Sequence, residues 1–357
     1  MRIEITDNLQ LTDLHEVRDR IIITADLHID DYSDPTLSNP KSKFSERINV
    51  LLEIISYAAV NDISSIYILG DILHSRTKVS IPVLYILGNI VKTAESYGVK
   101  LIVLKGNHDS YLKNSDFHSL APFSSCIIID KVTGFKNLNI VAVPYGVEGI
   151  EKLDLSQYKN VLFLMHTEFE GAVHNGYRVM NSEMKPGLFK DGCAVLTGHY
   201  HKPQFVGKNV YYVGSPLQHN FGEKDNDNFF YDCLLYEDKI AMLPVRANAP
   251  KYYYIDFDKE IDNIDPGKYN DNYVRVYTSQ KTYDKAVKIF SGDNLSYRRL
   301  EIVIKDDFAT IKTKEFDTRT EDCDVIGDFL RYKQVPEKDF AKYKEIGEKI
   351  LNESKMC

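Results

Sequence analysis

The sequence predicts a mixed α/β (α+β) chain: a two-sheet sandwich flanked by helices, followed by a small C-terminal α/β cap and terminal helices. Three observations predict it. Residues 20–104 alternate apolar β-forming runs with two stretches of helical periodicity. Residues 126–245 hold closely spaced strand-like runs with few helices between them. Beyond Pro250 a strand, helix, strand pattern gives way to a charged stretch and two apolar stripes at helical spacing.

In chain order, residues 1–20 read as a short leading strand and turn. RIIIT (residues 20–24) is the first core strand. The polar segment that follows, broken by Pro35 and Pro40, reads as an open loop. From Glu46 to Ala59, Ile48, Leu51, Leu52, Ile55 and Ala59 recur at helical spacing and predict a crossover helix into the strand Ser65 to Leu69. A second helix is expected from Ser80 to Tyr97, with Ser80 as its cap, Pro82 tolerated in the first turn and Gly98 as its stop. It leads into LIVL (residues 101–104). Short links between these elements imply parallel pairing through right-handed crossovers.

The runs CIIID, LNIVAVPY, VLFLMH, CAVLTGH, VYYVGS, FFYDCLLYE and IAMLPV then predict a second, more antiparallel sheet packed on the first. YVRVY, YDKAVKIF and YRRLEIVI predict the small cap. The expected division is therefore a principal domain over 1–248, a cap over 249–304, a charged linker over 305–322 and a helical segment over 323–357, where Phe329 and Leu330, then Phe340, Tyr343, Ile346 and Ile350, form the stripes.

The 357 residues carry a formal charge of -8, which argues against a stand-alone nucleic-acid binder because phosphate neutralisation needs clustered Lys and Arg. It does not exclude an enzyme of DNA, since carboxylates gathered around cations count as negative in that tally. Five cysteines at no recurring spacing read as reduced, packed thiols and not as a disulfide framework or zinc site. The N-terminus MRIEITDNLQ lacks the basic start and apolar run of a secretory signal, and no segment approaches the ~20 apolar residues of a membrane span. The expected setting is cytoplasmic, with no membrane partner.

Five of the apolar runs end in residues that ligate metals. RIIIT is followed by Asp26 and His28, Ser65 to Leu69 by Asp71, and LIVLKG by Asn107, His108 and Asp109; VLFLM ends in His166, and CAVLTG leads to His199 and His201. Of the ten histidines, six lie at or near these strand ends. Mixed carboxylate, imidazole and amide donors suit borderline divalent ions such as Mn²⁺ or Fe²⁺ better than Ca²⁺ or a thiolate zinc site. Seven such groups exceed the needs of one ion and fit two ions a little under ~4 Å apart, which together activate a water and hold a phosphate. Asp71 is the expected bridge. His108, free of metal, would donate a proton or stabilise charge, with Asp109 to orient it.

ADLH, GDILH, GNHD, MH and GHYH, in that order, resemble the motifs of the calcineurin-like metallophosphoesterase superfamily over roughly residues 21–245. Within it, GDILH, GSPLQHNFGEKD (residues 214–225) and the layout of residues 250–357 are similar to the SbcD-type nuclease family, including its phage branch. The resemblance implies one ion held by Asp26, His28, Asp71 and His201 and another by Asp71, Asn107, His166 and His199. His108 would assist cleavage and His74 would position the substrate phosphate. It further implies a Mn²⁺-dependent nuclease domain over residues 1–248, acting on DNA as a 3′-5′ exonuclease at ends and an endonuclease on single strands. Its partners would be an SMC-like coiled-coil ATPase, bound by the C-terminal helices, and a second copy of the chain, within the host cytoplasm if the chain is phage-encoded. The alternatives are a phosphoesterase of small phosphodiesters or phosphomonoesters, and a non-catalytic scaffold on the same fold. Arg76, Lys78, Lys113, Arg178 and Lys202 are candidate phosphate contacts, and Tyr200, Tyr211 and Tyr212 candidate stacking platforms, each weighed against ordinary surface charge or core packing.

Overall fold

The computed structural model describes residues 1–9, 17–31, 42–113, 115–152, 158–174, 177–189 and 192–305. The chain runs β1 (Arg2–Ile5), β2 (Asp19–Thr24), α1 (Ser42–Val60), β3 (Ser65–Ile68), α2 (Ile81–Ser96), β4 (Lys100–Leu104), β5 (Ile127–Ile129), β6 (Thr133–Phe135), β7 (Ile140–Val143) and β8 (Val161–His166). It continues through β9 (Val173–His174), β10 (Tyr177–Arg178), β11 (Cys193–Gly198), β12 (Gln204–Val206), β13 (Val210–Tyr212), β14 (Phe230–Leu235) and β15 (Lys239–Val245). Last come β16 (Tyr252–Asp256), α3 (Phe257–Glu260), β17 (Tyr273–Thr278), α4 (Tyr283–Phe290) and β18 (Arg299–Ile304).

Seven strands form the first sheet in the order β1-β15-β14-β2-β3-β4-β5, and six form the second in the order β12-β13-β11-β8-β7-β6. The two sheets face each other, which makes a sandwich of mixed α/β class. Period-two alternation builds its layers. Ile21 and Ile23 of β2 meet Leu162 and Leu164 of β8 and Ala194 and Leu196 of β11 between the sheets. Ile22 points the other way, onto the face covered by Leu51, Ile54 and Ala58 of α1 and Leu87 and Val91 of α2. Val161, Phe163, Met165, Cys193 and Val195 form a third layer outside the second sheet, with Phe169 and Phe189. Strands buried on both faces read as uninterrupted apolar runs.

Helix α2 keeps the expected bounds, with Ser80 Oγ accepting from the Val83 N–H and Pro82 in the first turn. In α1 the apolar stripe turns slightly from the expected one, and Leu52 is 37% exposed. The expectation of a more antiparallel second sheet is corrected. Its centre is parallel, β7 to β8, β8 to β11 and β11 to β13, and only the edges β6 and β12 run antiparallel. FFYDCLLYE and IAMLPV, as β14 and β15, are an antiparallel hairpin of the first sheet, and CIIID supplies its edge β5. The links from β7 to β8 and from β8 to β11 are long enough for crossovers, and continuous burial of both strands is the mark of parallel pairing.

Residues 252–304 form a parallel sheet, β16-β17-β18, with its own core of Ile255, Phe257, Val274, Val276, Ala286 and Phe290. Tyr252 anchors it: its N–H donates to Gln218 Oε1 at 2.8 Å and its hydroxyl to the His219 carbonyl at 3.1 Å. The expected helices within 323–357 and nearly all of the 305–322 linker lie outside the described residues. Among the described residues no helix is long and apolar enough to cross a membrane.

One buried ion pair ties the first sheet to α1. Arg20 of β2 grips Asp232 of β14 with two hydrogen bonds, 3.0 Å from Nε and 2.6 Å from Nη2, and Tyr57 of α1 donates to the same carboxylate at 3.0 Å. Asp232 is fully buried, so its removal strands a guanidinium and a phenol. Asp232→Ala is therefore expected to lower unfolding stability by about 3 kcal/mol, seen as a reduced midpoint in urea; an unchanged midpoint would show that the pair contributes nothing.

Candidate metal centre

Every candidate ligand leaves the sandwich at one edge, because β2, β3 and β4 run parallel in one sheet, β8 and β11 run parallel in the other, and each ends there. Asp26 and His28 follow β2, Asp71 follows β3, and Asn107 and His108 follow β4. His166 is the last residue of β8, and His199 and His201 follow β11. Cross-strand bonds lock the ends in register: the Asp26 N–H donates to the Gly70 carbonyl at 3.0 Å and the His28 N–H to the Asp71 carbonyl at 2.9 Å. The backbone is strained here, with positive φ at Asp26 (55°), His28 (49°), Asp71 (52°) and His199 (91°). Non-glycine residues adopt this region at a cost of order 1–3 kcal/mol each, and such strain gathers at functional sites. Gly106 permits the close approach of β4 to Asp71, since a Cβ there would lie 2.1 Å from Asp71 Oδ1.

The seven residues converge in two halves that share Asp71. On one side, donor atoms of Asp26, His28 and His201 lie within 4.8 Å of one another, with His28 Nε2 and His201 Nε2 3.1 Å apart. On the other, His166 Nε2 and His199 Nδ1 lie 2.9 and 2.8 Å from Asn107 Oδ1. Asp71 Oδ2 sits between the halves, 3.7 Å from His28 Nε2 and 3.4 Å from His166 Nε2. Asp26, Asp71 and His166 also form a tight, buried trio.

Outer hydrogen bonds fix which nitrogen of each ring faces inward. His166 Nδ1 lies 2.7 Å from the Leu69 carbonyl, an acceptor only, so Nδ1 carries hydrogen and Nε2 is the donor atom. His201 Nδ1 lies 2.9 Å from Glu223 Oε1, which likewise leaves Nε2 to the centre. His28 Nδ1 faces His74 Nδ1 at 3.3 Å. A second amide orientation of Asn107 would turn its nitrogen onto His166 Nε2 and His199 Nδ1 and its oxygen onto Arg76 Nη2 at 2.9 Å. Oxygen inward points at the same two ring nitrogens, and a cation among the three atoms makes that arrangement favourable once both nitrogens are unprotonated. The donor set therefore fits divalent ions with mixed nitrogen and oxygen ligation.

Electrostatics agree with that fit. Burial, reinforced by neighbouring imidazoles, pushes His28 well below its ordinary value and His199 down to about 3, so both are neutral. Burial raises Asp26 to about 6, with Asp71 adding to the rise. Asp71 is held at about 2: burial opposes its ionisation, but the His166 charge and hydrogen bonds from His166 and His108 prevail. Burial also opposes the charging of His166, yet Asp71 and Asp26 raise it to about 9.

His108 lies beside the centre. Its N–H donates to Asp71 Oδ1 at 2.8 Å, and its Nδ1 lies 2.6 Å from the His74 carbonyl, which places hydrogen on Nδ1 and leaves Nε2 to exchange a proton with a ligand. His74 stacks on it with ring centroids 5.3 Å apart and completes a trio with His28. The expected role of Asp109 in orienting His108 is corrected. The Asp109 carboxylate is fully buried and accepts from the N–H groups of Asp71 at 2.8 Å, Gly106 at 2.9 Å and Leu73 at 3.1 Å. Successive side chains of the turn diverge, so Asp109 braces the β3 and β4 ends from within while His108 faces the pocket.

That pocket, of about 300 Å³, is also lined by five residues that sequence reasoning did not single out: Arg47, His174, His219, Asn220 and Glu223. His219 and Glu223 stand inside the stretch GSPLQHNFGEKD, whose letters carry the signal. Arg47 had a signal too, as a charge on the face of α1 that otherwise buries Val50, Leu51 and Ile54. Of the weaker candidates, Lys78 and Lys202 are exposed, Lys113 lines an adjoining pocket with His166 and Thr167, and the Arg178 side chain lies outside the described residues. Tyr211 and Tyr212 are buried core and not stacking platforms, whereas Tyr200, largely buried, also lines the pocket.

A proton on His166 Nε2 competes with any cation. Because this pKa is raised from 6.5 to about 9, divalent-metal affinity is expected to climb with pH across that interval and flatten above it. Calorimetric titrations at pH 7.5 in buffers of different ionisation enthalpy should show net proton release; binding without release would contradict the assignment.

Comparison with known proteins agrees with this geometry. The profile described as calcineurin-like phosphoesterase matches residues 19–232, more than half of the chain. The chain is 28% identical over 182 residues to "Putative phosphoesterase 244L" of Invertebrate iridescent virus 6, covering 47% of this chain and 63% of that protein. It is 31% identical over 139 residues to "Putative phosphoesterase 078R" of Invertebrate iridescent virus 3, covering 34% and 38%. The chain thus spans less than two thirds of either viral protein. Among solved structures, Pseudomonas putida nuclease MPE aligns with 14% identity and a TM-score of 0.29 over 65% of this chain and 78% of that one. TT1561 of Thermus thermophilus aligns with 12% identity and a TM-score of 0.33 over 64% and 99%. The ordered strand-end motifs and the profile match together establish that the chain belongs to the calcineurin-like phosphoesterase family.

Proposed function

We propose that this chain is the nuclease subunit of an SbcCD-like DNA repair and recombination complex, a Mn²⁺-dependent phosphodiesterase acting at DNA ends and on single strands. The observation that carries the hydrolytic part is the pair of donor sets meeting at Asp71, with the free Nε2 of His108 beside them. Support for DNA as substrate comes from GDILH, GSPLQHNFGEKD and the added C-terminal sheet, which resemble the SbcD-type pattern.

Asp26, His28, Asp71 and His201 would hold one cation, and Asp71, Asn107, His166 and His199 the other. When bound, the pair supplies positive charge that draws in a phosphodiester and acidifies an attacking water. The protein's part is placement. Glu223, His74 and the Leu69 carbonyl keep the imidazoles turned inward. In hydrolysis the water oxygen bonds to phosphorus, one P–O ester bond breaks, and the departing oxygen takes a proton. His108 Nε2, in the imidazolium form, is the group placed to give it, while the proton of the attacking water passes to solvent; the ring is fixed by the bond from Nδ1 to the His74 carbonyl. A small phosphodiester is the second reading, favoured by a pocket of about 300 Å³, room for one small ester group.

Incubating the full chain and Mn²⁺ with end-labelled duplex DNA, single-stranded DNA, a cyclic nucleotide or a simple aryl phosphodiester separates these readings. Cleavage of DNA, with His108→Ala reducing turnover about 10²-fold or more while keeping its metals, is the expected result. Turnover of the small ester alone selects the second reading; loss of metal from His108→Ala would make it a ligand. Removal of residues 323–357 should abolish binding of a coiled-coil ATPase yet spare cleavage of the small ester, and loss of both would refute a separate partner-binding role for that segment.

A further inference from the structure

Arg47 brings a positive charge to this pocket without a carboxylate to hold it. It projects from α1 on the same face as the buried Leu51 and Ile54, and lines the pocket with His28, His74, His108 and His219. Among the described residues its guanidinium makes no hydrogen bond and no ion pair, and Asp30 and Glu46 act on it only at longer range. Glu46 is engaged elsewhere: it accepts from the Tyr273 hydroxyl at 2.8 and 3.0 Å and lies 3.7 Å from Arg298. The facing rings offer Arg47 nothing negative. The carboxylates that line the pocket are engaged elsewhere: Glu223 with His201 Nδ1, Asn220 Nδ2 and the His219 N–H, and Asp71 with the His108 N–H. A guanidinium has five donors in a rigid fork and stays charged in proteins. Leaving it largely enclosed with those donors unused is costly unless an acceptor arrives.

Resting on the phosphoesterase reading, we infer that Arg47 is a substrate-binding residue that grips the phosphate oxygens of the incoming ester from the α1 side of the pocket. The planar fork matches two phosphate oxygens at once, which an ammonium does not. The residue is also held in place from behind. Tyr273, reaching from β17 to Glu46, pins the adjoining turn of α1, and Tyr252, stacked on Tyr273 with centroids 4.3 Å apart, reaches the His219 carbonyl. The C-terminal sheet thus braces both α1 beside Arg47 and the loop that carries His219. The exposed Arg76 differs: its Nη2 meets the Asn107 oxygen only in the second amide orientation, on the side of the second metal half.

The test uses the full-length protein loaded with Mn²⁺ and inorganic phosphate as probe. Titration calorimetry and the phosphate-induced rise in Tm are measured for the wild type, Arg47→Met, Arg47→Gln and Arg47→Lys, with metal content determined for each. The expected result is a phosphate dissociation constant raised about tenfold or more in Arg47→Met and Arg47→Gln, with a smaller rise in Arg47→Lys. Metal content should be unchanged, and the phosphate-free Tm equal to or above wild type because an unpaired charge has gone. The phosphate-induced Tm rise should shrink in parallel. Unaltered phosphate affinity in any folded, metal-loaded neutral variant overturns the inference, as does a fall in Tm with phosphate affinity intact, which would mark a structural residue. Where the chain turns over an ester, KM should rise more than kcat falls. The phosphate isotherm stands whether or not any ester is turned over, so failure of the hydrolase reading and failure of the Arg47 assignment are read separately.

Discussion

Asp71 is the residue through which the two halves of the site know each other's position. Its N–H goes to Asp109, its carbonyl to His28, one carboxylate oxygen to the His108 N–H, and the other lies between His28 and His166. Three strand ends are thereby fastened to one side chain and its peptide group. The left-handed backbone at Asp71, Asp26 and His28 is the cost of aiming side chains inward from strands that would otherwise carry them past one another. Rigid packing on both faces of those strands offsets it, which is why the sandwich and the site are one construction.

The electrostatic character of the pocket follows from what surrounds that carboxylate. Deep burial would normally protonate it, and it stays ionised because His166 answers it directly. His28 and His199 are held neutral by burial, whereas against burial Glu223 and Asp26 raise His201, so the charge of the centre is set by its carboxylates. The Arg47 guanidinium lines the same pocket. The C-terminal sheet contributes to this geometry through Tyr252 and Tyr273, although its own core is separate.

Much of this was legible in the sequence, for identifiable reasons. Parallel strands buried on both faces leave unbroken apolar runs, so the residues that follow each run are marked as lying at one sheet edge. Residue order alone therefore points to Asp26, His28, Asp71, Asn107, His166, His199 and His201. The same continuity hides strand direction: β8 and β11 look alike whether parallel or antiparallel, and only their crossovers and register decide. Adjacency misleads at Asp109, since neighbours in a turn diverge, and the residue beside a catalytic candidate need not touch it. Arg47 escapes a sequence reading because it arrives from a helix face with no local motif. Only folding reveals that the face ends at the pocket rim.

The ligands are dispersed so widely along the chain that their assembly has a timetable. Asp26 emerges early in synthesis, yet its strand is completed by pairing with β14, whose residues 230–235 follow all of the ligands in the chain. A growing polypeptide still inside the ribosome at that point has all its chelating groups and nowhere to put them. Cation capture would then be a late event in biogenesis, a signal that the last wall of the sandwich has closed.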